Sequence, residues 1–149
     1  MDAALAYLTD RMRTVREVEE KLDDLQYGEG DILSTVARLK ELNLLNDETY
    51  AREFVRSRLA TKPLSRQKLY LDLKTHRVPQ ELIEAVLNEL PPETEADNAR
   101  EVAGKFWRQM SRLKEEVRRE RVLRRLMSRG FSTEASLAAM RAVEEEEES

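Results

Sequence analysis

The sequence predicts an all-α protein built from three tandem three-helix, helix-turn-helix-like repeats that form an elongated, curved array. Three observations predict it. Glycine and proline together fill only eight of 149 positions, while charged residues make up 38%. The apolar residues recur at helical spacing rather than in alternation or in blocks. And one constellation of apolar and turn positions returns twice, after 51 and then 53 residues.

The elements follow in order. Leu5–Leu8 marks a first apolar helix. Thr14 and Glu17 form a capping-box pattern that opens a second, with Val18, Leu22 and Leu25 on its inner face. Gly28 and Gly30 are expected to end it, and Asp31 to cap a third that carries Ile32, Val36 and Leu39. In the stretch LLNDETYAREFVRSR, Asn46 or Asp47 can accept hydrogen bonds from the free N–H groups of a new helix with Tyr50, Ala51, Phe54 and Val55 on one face. Lys62–Pro63 closes that helix, because the residue before proline is pushed out of helical geometry. Ser65 caps the next, with Leu64 and Leu69 placed as a hydrophobic staple. Pro79 suits a first helical position ahead of Leu82, Ile83, Val86, Leu87 and Leu90. Pro91–Pro92 breaks the chain, and a helix from Ala99 to about Arg112 carries Val102, Ala103, Phe106 and Met110. A further helix ends at Gly130, and Ser132 caps the last.

Superposing Leu22, Leu73 and Leu126 aligns Val18, Leu69 and Val122 four residues earlier, and Tyr27, Val78 and Phe131 five residues later. The repeats then span 1–46, 47–92 and 93–149, with seams at Asn46–Asp47 and Pro91–Pro92. Each apolar face is completed by its neighbour and no long heptad seam exists, so a monomer is expected.

These residues resemble the RecX regulatory proteins of bacteria. The likeness rests on TVREVEEKL, LNLLNDETYAREFVRSR and VLRRLMSRGFSTEASLAAM, which occur in that order within about residues 3–143. The departures are Arg77–Val78, where the family often has glycine and an apolar residue, the low pI and the acidic tail. The resemblance implies three tandem three-helix repeats. It also implies an inhibitor that lies in the groove of the RecA–DNA filament, bridges neighbouring RecA subunits and suppresses ATP hydrolysis and strand exchange. DNA is then contacted in the filament context. The alternative is a helix-turn-helix DNA binder with no recombinase partner.

Composition excludes several classes. Without cysteine there is no disulfide framework, thiolate metal site or thiol nucleophile. No apolar run of about 18 residues exists to span a bilayer and no signal peptide opens the chain, so a cytoplasmic protein without a membrane partner is expected. No glycine-rich phosphate loop is present, and no cofactor is expected. His76, the one histidine, is expected to be solvated or weakly capping rather than catalytic, and Glu19, Glu20, Asp23 and Asp24 to be a solvated face rather than a metal cluster. No catalysis is expected.

The net charge of −4 conceals zoning. Residues 105–129 hold ten basic against three acidic side chains, and residues 56–77 hold seven against Asp72 alone. Lys114, Arg118, Arg121, Arg125 and Arg129 fall within about 80° of one another on a helix, and Arg56, Arg58, Lys62, Arg66 and Lys68 form a second zone. Arginine offers planar paired donors to phosphate or carboxylate. These ten residues are the candidates for contact with RecA or DNA. Trp107 could stack on a base or pack half-buried. Glu144–Glu148 is expected to fray, because helix carbonyls repel acid at a C-terminus.

Overall fold

A computed structural model describes all residues from Met1 to Ser149. Nine helices follow one another: α1 (Asp2–Asp10), α2 (Val15–Asp24), α3 (Glu29–Glu41), α4 (Asp47–Thr61), α5 (Arg66–Thr75), α6 (Gln80–Asn88), α7 (Glu93–Gln109), α8 (Glu115–Ser128) and α9 (Thr133–Glu148). Local signals explain most of their ends. Thr14 and Glu17 make the complete capping box on α2. Asn46 caps α4 through the Thr49 N–H, Ser65 caps α5 through Lys68, and Ser132 caps α9 through Ala135. Each such cap is worth about 1 kcal/mol.

Two expected boundaries differ. Asp31 lies inside the first turn of α3, and Gly28 is the residue that precedes the helix, in extended geometry. Nor do Gly28 and Gly30 end α2. The chain turns earlier, at Gln26, whose φ of 67° is left-handed. Arg77 at 67° and Gly130 at 90° hold the same place after α5 and α8. In all three turns the following N–H reaches five residues back: Tyr27 to the Leu22 carbonyl, Val78 to Leu73 and Phe131 to Leu126, at 3.1 to 3.2 Å. This is the Schellman closure, which satisfies carbonyls that a helix end would leave bare.

The same turns join the repeats. The Thr14 hydroxyl donates to the His76 carbonyl at 2.7 Å, and the Ser65 hydroxyl donates to the Arg129 carbonyl at 2.9 Å. In each case the residue that caps the second helix of one repeat is fastened to the carbonyl at the end of the second helix of the next. Compactness therefore cuts through the middle repeat. One compact unit comprises residues 1–56 and 71–87, the other 57–70 and 88–149. The first is built on Ala4, Val18, Leu22, Ile32, Val36, Leu39 and Leu45. The second holds a larger core from α7, α8 and α9 that includes Val102, Phe106, Trp107, Val122, Leu126, Phe131 and Met140.

Candidate anion-binding surface

α8 is amphipathic: Val122 and Leu126 are buried in the core of the second unit, and most of its arginines lie on the outside. The predicted stripe is divided by this packing. Lys114, Arg121, Arg125 and Arg129 are exposed. Arg118 is not, at 9% relative exposure. Its guanidinium carbon sits 3.7 Å from the centre of the Trp107 ring, and its Nε donates to the Trp107 carbonyl at 2.9 Å. A second donor, Nη2, meets the same carbonyl, and Nη1 pairs with Glu147 at 3.4 Å. Arg118 is thus a structural clamp, because a buried guanidinium persists only when paired.

The acidic tail supplies the other half of that clamp. α9 continues to Glu148 rather than fraying. Glu147 accepts from the Trp107 indole N–H at 2.6 Å, and Glu144 pairs with Arg119. Side-chain partners offset the unfavourable end of the helix dipole. Trp107 is accordingly buried, neither half-exposed nor free to stack.

The exposed cations gather around Phe106. The guanidinium carbons of Arg129 and Arg125 lie 4.9 and 5.3 Å from its ring centre, and the Lys105 ammonium lies 5.8 Å away. Lys105 escaped the choice of candidates because it stands on α7, outside the α8 periodicity; its signal was its place beside Phe106. The Ser65 hydroxyl bond brings the first turn of α5, with Arg66 and Lys68, against the end of α8. Arg66 spends one arm on the carbonyls of Leu90 and Pro91, at 3.3 and 3.4 Å, and so braces the proline break. Arg58 and Lys62 lie exposed at the end of α4. Arg56 belongs to the other compact unit, and the hydrogen bonds it donates to Glu53 raise its pKa above the ordinary value. What is assembled in one unit is Lys105, Arg125 and Arg129 around an aromatic ring, next to the start of α5. Such donors suit phosphate or carboxylate oxygens.

His76 is part of a joint rather than solvated. Its Nδ1 lies 3.1 Å from Glu17, and its ring packs against Phe54 and Tyr50 at 5.4 and 5.9 Å between centres. Asp47 accepts from the Val15 N–H at 2.8 Å; burial nevertheless raises its pKa, an effect larger than the lowering by that bond. No group of three or more His, Cys, Asp or Glu side chains is arranged to hold a metal ion, and no helix is long and apolar enough to cross a membrane.

Residues 1–39, 46–87 and 93–140 match the first, second and third three-helix domains of RecX. The regulatory protein RecX of Prosthecochloris aestuarii is 32% identical over 136 residues, covering 90% of this chain and 86% of that protein. The chain belongs to the RecX family of regulatory proteins. RecX of Streptomyces coelicolor is 30% identical, over 96% of this chain and 76% of its own. The crystal structure of RecX from Lactobacillus salivarius superposes with a TM-score of 0.88 at 25% identity, covering 96% of this chain and 93% of that one. A second RecX crystal structure gives a TM-score of 0.78 at 26% identity, over 88% and 66% of the two chains. The all-helical fold of three three-helix domains is thereby that of RecX.

Proposed function

We propose that this RecX-family chain binds the helical groove of the RecA–DNA filament as a monomer, without cofactor or catalysis of its own. It inhibits RecA ATP hydrolysis and strand exchange, and so restrains homologous recombination and DNA repair in the SOS response. In this reading the repeats 1–46, 47–92 and 93–149 supply successive contacts along the filament. One observation carries it: in a RecX fold, Lys105, Arg125 and Arg129 converge on Phe106 as an exposed cationic surface. Such a surface can meet phosphates of the filament's DNA or carboxylates of its protein.

The same cations also support the second reading, a binder of free duplex with no recombinase partner. RecA ATPase on single-stranded DNA separates the two. The parent should inhibit, and Arg121→Glu combined with Arg125→Glu and Arg129→Glu should inhibit at least tenfold less, because attraction becomes repulsion. Equal inhibition by the variant removes the surface from the contact. A parent that leaves ATPase untouched but binds bare duplex with steep salt dependence favours the second reading.

A further inference from the structure

A turn of one kind follows the second helix of each repeat, and only two of these three are covered by a neighbour's helix start. The carbonyl of His76 receives the Thr14 hydroxyl, and that of Arg129 receives the Ser65 hydroxyl. The corresponding residue in the first repeat is Leu25. The next apolar position shows the consequence. Val78 is 4% and Phe131 3% exposed, whereas Tyr27 keeps 42% and Leu25 itself 47%. All three turns have a left-handed residue at the same place and the same hydrogen bonds, so backbone shape is not what separates them.

We infer that the Leu25–Tyr27 turn is a docking edge for a helix N-terminus of the protein partner, capped by serine or threonine. The inference rests on the filament reading and places protein contact in the first repeat. The internal joints give the template: a cap hydroxyl donating to the turn's carbonyl, with an apolar residue shielded beneath. Charge agrees with it. Asp23, Asp24, Glu29 and Asp31 flank the turn, and α2 and α3 form an open groove of about 340 Å³ whose lining holds four acids, Glu19, Glu20, Asp23 and Glu29, against Arg16 alone, with Ile32 and Leu33. A negative rim favours the positive end of a helix dipole and repels nucleic acid. The start of the third repeat's second helix in another copy of this chain does not supply the cap. In the third repeat the position of Thr14 and Ser65 is Arg118, which lies inside α8, buried against Trp107 and Glu147. On the filament reading the occupant is a different protein, the recombinase.

The test compares the parent with Leu25→Arg/Tyr27→Arg, two exposed positions where added cations repel a positive helix end. Far-UV circular dichroism first establishes that the variant is folded. Inhibition of RecA ATPase should then fall at least tenfold while affinity for bare single-stranded DNA, measured at the same salt, stays within twofold. Inhibition equal to the parent's overturns the inference and leaves the filament reading standing. A parent that does not inhibit overturns both. Sedimentation that shows the parent self-associating, and the variant not, overturns the inference in favour of a second copy.

Discussion

Replacing Gly130 by alanine should do more than strain one turn. At φ 90° an L side chain is disfavoured by about 1–2 kcal/mol. The added Cβ would also stand 2.6 Å from Ser65 Oγ, 3.4 Å from Gln67 Cβ and 3.5 Å from the Lys68 nitrogen. Ser65 must then move, although its oxygen both donates to the Arg129 carbonyl at 2.9 Å and accepts from the Lys68 N–H at 3.0 Å. Losing the first bond costs about 0.5–1.5 kcal/mol and losing the cap about 1 kcal/mol. Gly130→Ala should therefore destabilise by about 3–4 kcal/mol in urea unfolding followed at 222 nm. In a Ser65→Ala background the clash and both bonds are already gone, and the same change should cost only about 1–2 kcal/mol. The difference between backgrounds isolates the joint between the second and third repeats. Equal costs in both would refute the reasoning, because the glycine would then serve its own turn alone.

Arg118→Ala should destabilise by about 2–3 kcal/mol, since it strips a buried carbonyl of charged donors, and should shift Trp107 emission to the red. Arg121→Glu, on the exposed side of α8, should stay within about 0.5 kcal/mol; comparable losses at both positions would remove the clamp. Asp47 has a folded-state pKa raised by burial, so its ionisation opposes folding above that pKa and the penalty fades as pH falls through the carboxylate range. Asp47→Asn, which can still accept from Val15, should gain stability at pH 7 relative to the parent and lose the advantage near pH 3. Urea midpoints at the two pH values check the sign.

The sequence by itself determined what depends on near neighbours. Thr14 with Glu17, Asn46, Ser65 and Ser132 cap their helices within three residues, so the caps were legible without a fold. The repeat was legible too, because apolar positions and the turn recur at fixed spacing. Even so, of the three repeated turns only the one at Gly130 is announced by residue type; Gln26 and Arg77 adopt the left-handed conformation because the Schellman bonds offset the strain, helped at Arg77 by the burial of Val78. What only the tertiary structure decided lies between residues far apart in the chain. A period of 100° places Arg118 in line with Arg121 and Arg125, yet cannot say that α9 packs there and brings Glu147 to it from 29 residues away. Nor can it show that Thr14 and Ser65, besides capping their own helices, donate across 62 and 64 residues to the next repeat. Those partners are set by how helices pack, and packing is a property of the folded chain that no local period contains.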